Sequence, residues 1–194
     1  MAGSLPTTGP ISPQWEATQL KAAEYTSLRS EIVGLTSLQF QTTAVATVSF
    51  GAVLSAGFQV RNAAIILIYP LLSLALGIIW LFKAHLITRI AAYLRTGIED
   101  RVGRENMGWE HYVQDHPLPR GRFAYWGLRA IFPVTSMIAI GASFALAPQG
   151  VAMTILYILS FTVTIGTIAV FILWREPSPE LGQKSSPNGS PPSA

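Results

Sequence analysis

Three histidines are the side chains best suited to proton transfer, because His85, His111 and His116 are the only residues that titrate near neutral pH without assistance. A helix over residues 106–115 would place His111 and Asp115 on one face, where an imidazole and a carboxylate suit a metal or acid–base site. Neither a zinc-ligand spacing, an HExxH motif nor a nucleophile motif accompanies them. We therefore interpret 106–115 as a polar interfacial helix and expect no catalytic residue, metal or cofactor.

Hydroxyl and amide groups form two further patterns, in which the residues recur every three or four positions and so share one helical face. The first stripe consists of Tyr157, Ser160, Thr164 and Thr167, and the second of Gln39, Thr43 and Thr47. Such a stripe either lines a narrow aqueous path or faces another helix, where hydroxyl groups donate hydrogen bonds across the contact. We favour the second interpretation and keep the first as the alternative.

Both stripes lie in segments that are long and apolar enough to cross a membrane. Of the 194 residues, 50% are hydrophobic and only 12% are charged, against about 25% charged in an ordinary soluble domain. Crossing ~30 Å of hydrocarbon requires about 20 residues of helix. The sequence predicts four such spans, at residues 38–58, 63–82, 128–147 and 151–174.

Short links join these spans in pairs, through residues 59–62 and 148–150. The predicted fold class is therefore an all-α membrane protein with four transmembrane helices arranged as two hairpins. The first hairpin covers residues 38–82 and the second covers 128–174.

The basic residues predict the orientation of the hairpins. Of the 13 lysines and arginines, only Arg61 lies on the side of the hairpin turns, and all the others lie on the opposite side. The positive-inside rule makes that opposite side cytoplasmic, with both chain ends there and the protein in the cell membrane. Trp80, Trp126 and Trp174 fall at the same boundary and are predicted to anchor it as an aromatic belt.

Outside the spans, the periodicity predicts amphipathic cytoplasmic helices at 14–37, continuous with span one, and within 83–127, continuous with span two. In the second segment the spacing of Arg95 and Glu99 predicts a helical ion pair. The ends, 1–13 and 175–194, are rich in Pro, Ser and Gly and are predicted to be disordered.

Several function classes are disfavoured by what the spans lack. The chain has no cysteine and hence no thiolate chemistry. The one charged side chain of the predicted spans, Arg129, sits at the entry of span three, and none lies at depth, where ion-coupled transporters keep such groups. The net charge of +3 is explained by the orientation of the protein in the membrane rather than by binding of nucleic acid.

Two further features concern how the predicted helices bend and pack. Pro70 and Pro133 should bend their helices. Close helix contacts are predicted at the pairs Gly51 with Ser55, Ala52 with Ala56, Ser73 with Gly77, and Gly141 with Ala145.

An E-Y-x-x-L-R-x-E-I motif is present at Glu24-Tyr25-Thr26-Ser27-Leu28-Arg29-Ser30-Glu31-Ile32, and Tyr69-Pro70 and the run from Trp80 to Arg95 follow it. This pattern resembles small uncharacterised bacterial membrane proteins, which have the same motif before a hydrophobic hairpin. The plan from Trp15 to Ile98 also loosely resembles two-span effector modules of nucleotide-signalling defence systems, which are thought to perforate membranes. This resemblance covers about half the chain, concerns architecture alone and carries over no site residue.

The sequence thus favours a non-enzymatic protein of the lipid bilayer, acting as an oligomeric pore-forming or membrane-perturbing component. The alternative is an accessory subunit whose basic segment, 83–129, recruits a cytoplasmic protein or anionic lipid. A membrane enzyme using the His111 region is a third class.

Overall fold

The computed structural model of the protein describes residues 13–103, 106–116, 121–146 and 150–174. These residues form helices and turns, without a strand among them. The helices are α1 (Pro13–Val60), α2 (Ala63–Leu67), α3 (Tyr69–Tyr93), a π-helical segment (Leu94–Glu99), α4 (Asp100–Val102), α5 (Trp109–Asp115), α6 (Gly121–Phe144) and α7 (Val151–Leu173). Apart from Pro13, the tails predicted at 1–13 and 175–194 lie outside the described residues.

Four helical stretches are long and apolar enough to cross a membrane, and they confirm the predicted all-α membrane fold. They are Ala17–Val60, Ala63–Val102, Trp126–Phe144 and Val151–Leu173. Trp174, which follows α7, packs against His85 of α3 with ring centroids 6.2 Å apart, so these two helices end on the same side of the bundle. We call this side the basic end of the bundle, because Lys83, Arg89 and Arg129 lie there.

Helix α1 is a single helix of 48 residues, so the predicted segment 14–37 does continue into span one without a break. At ~1.5 Å per residue it is about 70 Å long, more than twice the ~30 Å of bilayer hydrocarbon. The second span likewise continues through the π-helical segment to Val102. Both helices therefore project well beyond the membrane at the basic end.

The first hairpin turns within two residues, Arg61 and Asn62. Asn62 caps α2, because its side-chain oxygen accepts a hydrogen bond from the Ala64 N–H at 3.0 Å. Gly57 lets α2 approach α1 closely, since a Cβ at this position would lie 2.3 Å from Ile66 Cγ1. The tight turn and the close contact explain why the two apolar segments fold as one hairpin.

The two intramembrane prolines have different effects. Pro70 lies in the first turn of α3, and the helix of span two divides at Ile68, between α2 and α3. Pro133 instead lies inside α6, which remains a single helix. The expected disruption is therefore clear at Pro70, where the missing N–H coincides with a helix boundary.

The centre of the bundle is filled by aromatic side chains from three helices. Trp80, Phe132 and Phe171 are at most 4% exposed, and the rings of Phe132 and Phe171 stack with centroids 5.5 Å apart. Gly77 leaves room for them, because a Cβ there would lie 2.9 Å from Phe171 Cε2. The predicted close-contact pair Ser73 and Gly77 is thus buried in this core.

At the far part of the basic end, α5 packs against the π-helical segment. Leu94 and Ile98 of this segment are at most 2% exposed. The predicted ion pair between Arg95 and Glu99 is wrong: Arg95 donates a hydrogen bond to Gln114 Oε1, and Glu99 binds α5. A π-helix has hydrogen bonds between residues five apart and so more residues per turn than an α-helix. Residues four apart therefore no longer face each other as they do in an α-helix.

Candidate functional site

The predicted hydroxyl stripe of span four lies on the inner face of α7. Ser160, Thr164 and Thr167 are at most 3% exposed, and Tyr157 is half-buried. Ser143 Oγ donates a hydrogen bond to Tyr157 Oη at 2.9 Å, which joins α6 to α7. The stripe therefore faces the other helices of the same chain.

Ser160 has a specific partner in the interrupted second span. Its Oγ donates a hydrogen bond to the Leu67 carbonyl at 2.9 Å, at the point where α2 ends. The break leaves this carbonyl outside the regular ladder, because the Leu71 N–H bonds to Ile68 instead. A buried carbonyl in hydrocarbon needs a donor, and Ser160 supplies it.

Thr164 and Thr167 bond differently from Ser160. Thr164 Oγ1 donates to the Ser160 carbonyl at 2.8 Å, and Thr167 Oγ1 donates to the Val163 carbonyl at 2.9 Å. Both acceptors belong to α7 itself. The expectation that hydroxyl groups of this stripe bond across the helix contact therefore holds for Ser160 but is wrong for these two threonines.

The predicted stripe of span one is only partly turned inward. Gln39 Nε2 donates a hydrogen bond to the Trp80 carbonyl at 3.3 Å, which connects α1 to α3. Thr43 and Thr47 donate to carbonyls four residues earlier in α1, and Thr47 is exposed. Only the Gln39 end of the stripe contacts another span through a hydrogen bond.

The main polar contact between α3 and α6 was not identified from the sequence. Tyr69 Oη lies 3.0 Å from Thr135 Oγ1 and 3.2 Å from the Ala46 carbonyl, so it connects α3 with both α6 and α1. Ser73 Oγ donates to the Phe132 carbonyl at 2.8 Å. Tyr69 and Ser73 lie four residues apart on one face of an apolar helix, and this spacing was the available signal.

The three predicted tryptophan anchors lie in different environments. Trp126 is 52% exposed and Trp174 is half-buried, with its ring edge against His85 at 6.2 Å. Trp80 is only 3% exposed and packs against Phe132 and Phe171. It differs from the expectation of a lipid-facing anchor because the small Gly77 leaves a space at the centre of the bundle, and large rings fill it.

Arg129 is a charged side chain that is buried close to the bundle core, with 4% exposure. Its Nη1 lies 3.5 Å from the Phe171 carbonyl, in the last turn of α7, and its guanidinium lies over the Trp126 ring at 5.5 Å. The carbonyls at a helix C-terminus carry partial negative charge and attract a cation. Arg129 therefore ties the start of span three to the end of span four.

A buried carboxylate joins α5 to the second span. Glu99 is fully buried, and its oxygens accept hydrogen bonds from the backbone N–H groups of Glu110, at 2.9 and 3.2 Å, and His111, at 3.2 Å. His111 Nδ1 lies 2.9 Å from Glu99 Oε2, and its Nε2 lies 3.1 Å from Asp100 Oδ1. Glu99 thus acts as the N-terminal cap that α5 lacks in its own sequence.

The motif residues of α1 contact the same region. Arg29 forms an ion pair with Glu110 at 2.7 Å and lies over the Trp109 ring at 5.8 Å, while Glu24 accepts a hydrogen bond from Tyr93 Oη at 2.7 Å. Burial raises the pKa of the Glu110 carboxyl above its ordinary value, and Arg29 opposes this rise. These contacts hold the projecting part of α1 against the rest of the basic end.

The arrangement around Glu99 can be judged chemically. A carboxylate beside an imidazole resembles a proton-transfer pair, but Glu99 is fully buried and already accepts several hydrogen bonds that fix α5. Among the described residues, no three His, Asp or Glu side chains are placed to hold a metal ion. The geometry is that of a docking contact for α5.

Comparison with protein-family models, curated proteins and solved structures finds no match to this chain. The resemblance to small bacterial membrane proteins and to two-span effector modules therefore stays a prediction. Functional inference depends on the geometry of the chain itself.

Proposed function

We propose that this chain is a non-enzymatic membrane protein that acts as a homo-oligomer, with its copies meeting along α1. The observation that carries the proposal is an exposed face of α1 within the membrane. We call it the small-residue face; its residues recur every three or four positions and are all exposed: Gln41, Ala44, Val48, Gly51, Ala52, Ser55 and Gln59.

The composition of this face is typical of a helix contact rather than of a lipid-facing surface. Lipid-facing positions on α7 are large and apolar, such as Ile158 and Ile165, which are 62% and 63% exposed. Around Gly51, by contrast, nothing lies within 4 Å of where a Cβ would be. Small residues allow two helix backbones to approach closely, and Gln side chains favour a hydrogen-bonding partner over hydrocarbon.

The position of α1 in the bundle also supports this proposal. Along the most apolar stretch of α1 only 11% of the residues are buried, whereas 44% are buried along the corresponding stretch of the second span. Helix α1 is therefore the peripheral helix of the described bundle. It is the span with the most surface left to contact a second copy.

We propose further that any ion path runs between copies and not through one copy. Trp80, Phe132 and Phe171 fill the centre of the bundle, and the hydroxyl groups of Ser160 and Thr164 are engaged by backbone carbonyls. A water-filled path needs polar groups that are free to meet water or ions. The small-residue face meets that need better than the buried stripe does, because its polar side chains Gln41, Ser55 and Gln59 are exposed, although Gln59 Nε2 donates to Ser55 Oγ at 2.9 Å.

Planar-bilayer recordings of the purified full chain test this proposal. We expect the wild type to conduct, Thr164→Val to conduct equally, and Gly51→Leu to lose conductance because the larger side chain separates the copies. If Thr164→Val abolished conductance while Gly51→Leu left it intact, the path would run through one copy. Absence of conductance from all three proteins would contradict the pore and favour the accessory role.

The second candidate, an accessory subunit that recruits a cytoplasmic protein, is favoured by the outer face of α5. Trp109 and Tyr112 are 54% and 56% exposed, and Tyr112 stacks on His116 with centroids 4.3 Å apart. Exposed aromatic groups are enriched where proteins bind each other. Loss of a co-purifying protein in Tyr112→Ala, with intact membrane insertion, is the result this candidate predicts.

For location, we propose the cell membrane, with the chain ends and the segment 83–127 in the cytoplasm. The distribution of the basic residues, with Arg61 alone at the hairpin turns, supports this orientation. The same distribution accounts for the net positive charge, so nucleic acid is not a proposed partner.

A further inference from the structure

A cavity of about 270 Å³ opens between α1, α3 and α6. Its walls include Phe40 from α1, Trp80, Ala84 and Ile87 from α3, and Leu128 from α6. Phe40 is 59% exposed at its rim, whereas Trp80 is 3% exposed at its base. The cavity is therefore an apolar recess with a tryptophan ring on its inner side.

The recess lies near the predicted end of the second span, at residue 82. Trp80 lies within span two, and Thr88, which also lines the cavity, is about 12 Å further along α3 toward the basic end. The headgroup layer adds only about 5–8 Å to each side of the hydrocarbon. Because 12 Å exceeds the thickness of the headgroup layer, the recess does not fit within that layer alone, and its Trp80 end is the end nearer the hydrocarbon.

The polar side chains of the walls do not make the recess a site for ordered water. Thr88 Oγ1 donates to the Ala84 carbonyl at 3.0 Å, and Thr36 Oγ1 donates to the Ile32 carbonyl at 2.8 Å. Gln39 Nε2 donates to the Trp80 carbonyl. A buried water needs about two to four polar partners, and these donors are already engaged.

We propose that the recess binds one acyl chain of a bilayer phospholipid, with the carboxyl end of that chain near Thr88 and its methylene groups against Trp80. The occupant is hydrocarbon because most of the walls are apolar and because Phe40, which is 59% exposed, brings the recess to the outer surface of span one. Its volume lies below the roughly 300–1,000 Å³ of pockets for drug-sized ligands, so it accommodates part of one chain rather than a whole lipid.

Fluorescence quenching of Trp80 in the full chain tests this proposal. The protein carries Phe in place of Trp15, Trp109, Trp126 and Trp174, and is placed in phosphatidylcholine vesicles with bromine near the carboxyl end of one acyl chain. We expect strong quenching of Trp80 by this lipid. Thr88→Phe fills the recess and should remove most of the quenching. If Thr88→Phe does not fold, Leu128→Phe fills the recess from another helix and should have the same effect.

The matched control is Ile79→Phe, which adds the same ring beside Trp80 at a position that is 46% exposed and lies outside the walls of the recess. Its quenching should equal that of the parent. Equal quenching in the parent and in the folded recess-filling variants would overturn the proposal. Quenching by aqueous iodide and not by the brominated lipid would show that water fills the recess, and this would also overturn the proposal. Quenching by the lipid only at high dilution of the protein would show that a second copy occupies the recess at higher density, with the same consequence.

Discussion

At the scale of single residues, hydroxyl groups determine how this bundle tolerates an interrupted span. Pro70 lacks an N–H group, and the helix divides beside it, yet Ser160 supplies a donor to the Leu67 carbonyl at the break. Thr164 lies one turn away on the same helix and bonds within α7. The sequence predicted that the two residues share a face, but spacing alone could not distinguish their acceptors, because the break in α2–α3 became evident only from the folded backbone.

Replacing Ser160 with Ala should therefore destabilise the bundle more than replacing Thr164 with Val. The first change leaves the Leu67 carbonyl without its side-chain donor and should cost about 1 kcal/mol, within the range of interhelical hydrogen bonds in membranes. Thr164→Val is nearly isosteric, leaves no acceptor on another helix unpaired and should cost clearly less. Unfolding of the purified protein in mixed detergent micelles measures both. A larger loss for Thr164→Val than for Ser160→Ala would refute this assignment.

At the scale of elements, the helices could be predicted from apolar length and periodicity, and the contacts between them could not. The four spans and the continuity of segment 14–37 with span one follow from charge-free segments and three-to-four-residue spacing. The docking of α5 does not, because Glu99, which caps it, lies at the end of a π-helical segment that the spacing did not predict. The local spacing of Arg95 and Glu99 instead suggested a pairing within a regular helix.

The docking of α5 should depend on Glu99 more than on Glu110. Glu99→Gln replaces one accepting oxygen with an NH₂ group that faces the N–H donors of α5, and it should weaken docking by about 2 kcal/mol, the value typical of a hydrogen bond to a charged group. Glu110→Gln is the matched control. Burial raises the pKa of Glu110 and so disfavours its charged form, and the amide oxygen can still accept a bond from Arg29.

Hydrogen exchange of the α5 amides in the full chain measures this difference. We expect exchange to accelerate strongly in Glu99→Gln and only slightly in Glu110→Gln. Equal acceleration in the two variants would show that the ion pair with Arg29 holds α5 as firmly as the cap does, and would contradict this prediction.

At the scale of the whole molecule, the charge asymmetry of the bundle predicts its orientation in the membrane. Reporters fused after Ala194 and within residues 101–110 should both read cytoplasmic, and a reporter within residues 59–62 should read external, because Arg61 alone lies at the hairpin turns. An external reading for the 101–110 fusion would contradict the proposed orientation, although the four-helix fold would be unaffected.

The assembly of copies along α1 is the central claim, and disulfide cross-linking in native membranes tests it most directly. The chain contains no cysteine, so a single Ser55→Cys places one thiol on the small-residue face, and Ile158→Cys places one on the lipid-facing side of α7. A disulfide forms only when two Cα atoms come within roughly 7 Å. We predict that a mild oxidant converts Ser55→Cys to a covalent dimer and leaves Ile158→Cys monomeric. A monomeric Ser55→Cys, or equal cross-linking at both positions, would contradict assembly along α1.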